Sequence, residues 1–133
     1  MLQEFIPKLQ KDLELKEPLG REGETGFALL LDDTTITISE VGSGFQLMAT
    51  LGELPTELPE LFYAKMLRGN LFGQATSGAI LGLDEMGSKL MLRYYYPQKA
   101  AYRDFKEKLE DFINTIDFWK LEAKSHQANP NAQ

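Results

Sequence analysis

Residues 25–51, TGFALLLDDTTITISEVGSGFQLMATL, constrain the fold more than any other stretch of the chain. Three short runs alternate between two kinds of side chain with a period of two. In the first, Phe27, Leu29 and Leu31 fall on one side and Ala28 and Leu30 on the other. In the second, Ile36 and Ile38 oppose Thr35, Thr37 and Ser39. In the third, Phe45, Leu47, Ala49 and Leu51 oppose Gln46, Met48 and Thr50. Asp32 and Asp33 separate the first run from the second, and VGSG leads into the third. Period-two patterning with turns this short specifies an antiparallel meander.

Helical patterns flank it. Leu2, Phe5, Ile6, Leu9 and Leu13 recur at helical spacing, with charges between them. Pro7 is tolerated only in a first turn, so the regular helix is expected to begin near Ile6, or an earlier turn to kink there. Residues 15–26, LKEPLGREGETG, read as a loop from their Pro and Gly content. After Pro59, ELFYAKMLRGNLFG reads as a helix ending around residues 69–73. QATSGAILGLD and SKLMLRYYYP form a hairpin across DEMG. A long helix runs from Gln98 to about Glu122, with Tyr102, Phe105, Leu109, Phe112, Ile113, Ile116 and Trp119 in one stripe. The order α-β-β-β-α-β-β-α is that of an α+β domain, a twisted antiparallel sheet packed by helices. Residues 1–123 form the domain and residues 124–133 a polar, flexible tail.

With 133 residues, 43% of them apolar and 26% charged, the chain suits one folded domain with a single core. No run reaches the roughly 18 apolar residues that a membrane span needs, and MLQEFIPKLQKDLEL lacks the basic flank and apolar stretch of a secretory signal. A cytoplasmic protein is expected. The absence of cysteine excludes disulfides, thiol nucleophiles and thiolate metal sites. A net charge of −6 argues against nucleic acid. Residues 1–60 hold 12 acidic and 4 basic side chains, whereas residues 61–133 hold 8 and 10. One half is therefore suited to steering a basic partner, unless the charge serves solubility alone.

Catalytic constellations are missing. The single histidine, His126, falls in the polar tail, where a solvated role is expected, so no Ser-His or His-carboxylate pair can be built on a rigid element. Asp32 with Asp33, and Asp84 with Glu85, sit at hairpin turns, where Asp bonds its own backbone, and neither has the alternating oxygens of a calcium loop. The glycines of GQATSGAILG lack a phosphate-loop context; Gly78 and Gly82 lie in a strand pattern and point to a bulge or a close backbone approach. Tyr94, Tyr95 and Tyr96 resemble a base-stacking platform only superficially, since the chain is acidic. Neither an enzyme nor a cofactor is expected.

Surplus hydrophobicity remains. Leu61, Phe62, Tyr63, Ala64, Met66, Leu67 and Leu71 cover nearly the whole circumference of one helix, so it must be buried on more than one side, and a subunit interface is the expected cover. If Leu29, Leu47, Leu90, Leu92 and Tyr94 face the helices, then Leu30, Met48, Met91 and Tyr95 point the other way, near Ile80. Such a patch marks a partner site, or is covered by a dimer partner or by the second helix.

The segment LRGNLFGQATSGAILGLDEMGSKLMLRYYYP, with the long helix ending in FWKL, resembles the class I type III secretion chaperones, the Tir-chaperone family. The shared elements are Leu67, Asn70 and Leu71 at a helix end, then Gly78, Ala79, Leu81, Gly82 and Leu83, then Leu90, Leu92 and Pro97. The resemblance covers residues 58–121 best; Pro7 and the three tyrosines before Pro97 depart from the pattern. It implies a cytoplasmic bacterial chaperone without enzymatic activity, a homodimer or a heterodimer with a related chain. Such a protein binds the extended N-terminal segment of a secreted effector and keeps it soluble. By that resemblance the dimer surface falls on Phe62, Met66, Leu67, Leu71 and Ile80, and substrate contact on Leu30, Met48, Met91 and Tyr95. The competing readings are an interaction or sensor domain of similar fold outside secretion, and a small enzyme using carboxylates or tyrosines.

Overall fold

The computed structural model describes residues 1–23, 26–73 and 75–131. Its elements are α1 (Leu2–Asp12), β1 (Gly20–Glu22), β2 (Gly26–Leu31), β3 (Thr34–Val41), β4 (Gly44–Glu53), α2 (Pro59–Phe72), β5 (Ile80–Leu83), β6 (Lys89–Tyr96) and α3 (Tyr102–Ala128). The strands form one sheet in the order β1-β2-β3-β4-β6-β5, each pair antiparallel. The expected meander is β2-β3-β4, and the expected hairpin is β5-β6. Thr25 and Gln74, at which two of the expected strands began, lie outside the described residues, as do Glu24, Ala132 and Gln133.

Four elements differ from the sequence expectation. β1 lies within the stretch read as a loop and pairs Gly20 with Ala28 and Glu22 with Gly26. Its three residues are all exposed, so no alternation betrays it. α1 runs unbroken through Pro7. Pro7 and Gln3 both face solvent, so the Gln3 carbonyl that loses its helical donor is not stranded in the core, while Leu2, Phe5, Ile6 and Leu9 bury the opposite stripe. β5 begins only at Ile80; residues 75–78 form turns, and Gly78, at φ +84°, supplies a left-handed turn position rather than a strand bulge. α3 continues to Ala128 and so absorbs half of the stretch assigned to a flexible tail.

The core fills one side of the sheet. Leu29, Ile36, Ile38, Phe45, Leu47, Leu90 and Leu92 are fully buried there beneath α1 and α3. Phe105 of α3 meets Phe45 edge-on at 5.1 Å and Phe5 of α1 at 5.4 Å, tying both helices to β4. Each such buried side chain contributes about 1.5–3 kcal/mol. Glu40 on β3 accepts the Leu2 N–H at 2.6 Å, which pins the first turn of α1, and that bond holds its carboxyl below the ordinary range. At the far end of α1, Tyr102 donates to Asp12 at 2.7 Å; this lowers the Asp12 carboxyl, while burial and the Asp12 bond raise the tyrosine.

Candidate functional site

The sheet register decides which side chains share a face. On β3, Thr35 and Thr37 lie two residues apart and therefore on the same side, opposite Ile36 and Ile38. Leu30 pairs with Thr35, Met48 with Thr37 and also with Arg93, Met91 with Thr50, and Tyr95 with Gln46. Leu30, Met48, Met91 and Tyr95 thus lie together on the face away from α1 and α3, as the alternation predicts. Leu30 is 65% exposed and Tyr95 50%; Met48 and Met91 are half-buried. Ile80 pairs with Arg93 and joins them on this face. A depression of about 630 Å³ there is lined by Thr35, Thr37, Met48, Thr50 and Met91, with Asp33 and Lys120 at its margin. The surface is apolar and hydroxyl-bearing, and Arg93, between Met48 and Ile80, adds a charge to it.

The residues assigned to a dimer surface divide in two. Leu67 is 68% exposed, Leu71 76% and Ile80 62%, forming an uncovered apolar surface. Phe62 is fully buried and Met66 nearly so, within the chain's own core. Phe62 stands edge-on to Trp119 at 6.2 Å and packs on the His126 ring at 5.4 Å. The expectation that Phe62 and Met66 form a subunit contact is therefore corrected: with Gly69 they are the buried stripe of α2, and Phe62 docks it on α3.

α2 is held to the sheet by a side chain acting as a strand partner. Asn70 donates from Nδ2 to the Leu81 carbonyl at 2.8 Å and accepts the Leu81 N–H on Oδ1 at 2.7 Å. It therefore satisfies backbone groups on the outer edge of β5. Round the helix, Phe62 faces α3 and Asn70 faces β5, while Leu67 and Leu71 come next. Leu67 and Leu71 on α2, and Ile80 on the edge strand that Asn70 bonds, are all exposed.

His126 overturns its expected solvated role. It is 1% exposed, and its Nε2–H donates to the Glu57 carbonyl at 2.9 Å and the Leu58 carbonyl at 3.0 Å. Gln127 accepts the Thr56 N–H at 2.7 Å and donates to the Thr56 hydroxyl at 3.0 Å. The last turn of α3 thus fixes the lead-in to α2, where Leu58 caps the helix in a left-handed conformation at φ +45°. Nothing in a polar stretch with one histidine signals this contact, because it depends on a partner some seventy positions earlier.

The carboxylates keep to turn chemistry. Asp84 accepts the Ser88 and Lys89 N–H groups at 2.8 and 3.1 Å, and these bonds, Lys89 first, lower its carboxyl. Asp33 is lowered by the Lys120 ammonium 2.8 Å away. Lys120 also reaches Thr34. Among the described residues no three His, Cys, Asp or Glu side chains gather to hold a metal, and no helix is long and apolar enough to cross a membrane.

The fold is shared with known proteins. A chain of the ExsC–ExsE complex matches with a TM-score of 0.73 and 16% identity over 92% of both chains. A chain of the HopA1–SchA chaperone–effector complex matches with a TM-score of 0.68 and 19% identity, over 90% of this chain and 92% of that one. In sequence, a Chlamydia pneumoniae protein is 27% identical over 122 residues, covering 90% of this chain and 93% of that protein. The model of the Tir chaperone protein (CesT) family matches residues 4–120, from the first turn of α1 to the middle of α3. The chain belongs to the Tir chaperone protein (CesT) family.

Proposed function

We propose that this chain is a cytoplasmic type III secretion chaperone that holds the extended N-terminal segment of a secreted effector on the open face of its sheet, without catalysis. The observation that carries the reading is the gathering of Leu30, Met48, Met91 and Tyr95 on a sheet face that bears no helix. Methionines adapt their shape to different apolar partners, and an extended segment can fill successive sites along such a face. Family membership and the likeness to a chaperone–effector complex support the same reading.

The working unit is a dimer, made through Leu67, Leu71 and Ile80, large apolar side chains that the chain itself leaves mostly exposed. Leu67→Asp gives a monomer or an aggregate; sedimentation showing an intact, folded dimer would remove that assignment. For the chaperone reading itself, the protein is co-expressed with N-terminal segments of candidate secreted proteins from the same genome. Copurification of one segment, reduced by Leu30→Asp and by Tyr95→Asp with the fold retained, is the expected result. Capture of none, or capture indifferent to both changes, would overturn it.

A further inference from the structure

The depression on the open face does not stop at the end of the sheet. Asp33, Leu51, Gly52, Glu53 and Lys120 line it and equally line a second groove of about 800 Å³, so the two are continuous. The join falls where the β4–β6 register shifts between Thr50 and Gly52. Gly52 is exposed, at φ +132°, and a Cβ built on it meets nothing within 4 Å, so no side chain stands across the passage. Beyond it the groove is lined by Leu54, Pro55 and Leu90, all buried, and by Leu121 of α3, which is 63% exposed. The 54–56 segment is fixed at both ends. The Leu54 N–H donates to the Ser88 carbonyl at 2.9 Å, and the Thr56 N–H to Gln127 at 2.7 Å. The groove is therefore preformed, as binding clefts generally are.

The geometry points to this groove as the seat of the next part of the same secreted segment, one apolar side chain resting against Leu121 with an acidic residue beside it. This rests on the function proposed above. It extends that function to residues 121–128, beyond the part of the chain that the family model matches. Three observations favour that occupant. The first is continuity: an extended chain rises about 3.3 Å per residue with alternating side chains, and one leaving the open face over Gly52 runs directly into the groove. The second is access, since none of the dimer residues Leu67, Leu71 and Ile80 lines it. The third is charge. Asp33 is paired with Lys120 at 2.8 Å, and Glu53 lies opposite Lys89 in the sheet register. Lys124 forms no ion pair among the described residues, which leaves its ammonium beside the apolar lining for a carboxylate of the segment.

The probe is the N-terminal segment captured in the co-expression experiment above, in complex with the full chain. Limited proteolysis read by mass spectrometry gives the stretch of that segment that is protected. Leu121→Asp is expected to shorten the protected stretch at one end and to weaken binding about tenfold, with the melting point unchanged because the side chain is exposed. Lys124→Glu weakens binding about threefold at low salt and less at high salt. A protected stretch and an affinity of wild-type size in Leu121→Asp overturn the inference. So does a lost end that holds no apolar residue with an acidic neighbour. If Leu121→Asp does not fold, Leu121→Ala decides, because it only trims an exposed side chain. Leu30→Asp separates the two claims. If it reduces capture while Leu121→Asp changes nothing, only the groove is refuted. If no segment is captured, or capture is indifferent to Leu30→Asp, the chaperone reading falls and the groove with it.

Discussion

The two faces of the sheet are built from the same strands, often from adjacent residues, yet they differ in what covers them. Ile36 and Ile38 lie under helices, while Thr35 and Thr37, their immediate neighbours, line an open depression. Leu29 is sealed in the core and Leu30 is mostly exposed. Hydrophobicity alone does not separate these two leucines. The helices do, because α1 and α3 both lie on the side of Phe45. Apolar surface on the covered side contributes to folding. On the open side it contributes little to folding and is available to a partner.

Mutations can break or sharpen that contrast. The largest effect is expected at Phe45→Ala, which removes the ring between β4, Phe105 and Tyr96 and costs about 3–5 kcal/mol in urea unfolding. Next comes Glu40→Ala, which strips the acceptor from the Leu2 N–H on the same covered side and costs about 1.5 kcal/mol near neutral pH. Because the folded carboxyl is lowered below 4.5, this contribution is present above that value and is lost as pH falls through the folded one. Unfolding curves of wild type and Glu40→Ala therefore converge in acid; a constant gap would show that the charge plays no part. Trp119→Phe deletes the 2.8 Å bond from Nε1 to the Ala75 carbonyl and part of the ring that meets Phe62; the lost bond alone costs about 1 kcal/mol by thermal melting. The smallest effect belongs to Leu30→Ala, within about 0.5 kcal/mol of wild type. A loss there comparable with Phe45→Ala would mean the two faces are not distinct.

What the sequence reveals follows the same division. The meander was legible because one side of each strand is buried, which enforces period two from Phe27 to Leu51. The stripe of α3 was legible for the matching reason, and Phe105, Leu109, Phe112, Ile116 and Trp119 are all buried. The placement of Leu30, Met48, Met91 and Tyr95 on one face needed only alternation and antiparallel pairing. α2 was harder. With apolar side chains nearly all round, no polar stripe marks its outside, so Phe62 and Met66 could not be told from Leu67 and Leu71 by periodicity. β1 left no trace because all three of its residues face solvent, and Pro7 misled because its cost depends on whether the orphaned carbonyl meets water. His126 was beyond reach, since a polar residue becomes core only through a contact distant in sequence.

That distant contact has a consequence for the timing of synthesis. The residues that fix the lead-in to α2 follow it by 68–71 positions. At translation rates of roughly 5–20 residues per second, the segment waits about 4–14 s for its clamp. During that interval Phe62 has neither Trp119 nor His126 to pack against. The lead-in to α2 therefore stays unclamped until the last turn of α3 is made, and only the finished C-terminal helix turns a sticky segment into a shaped surface.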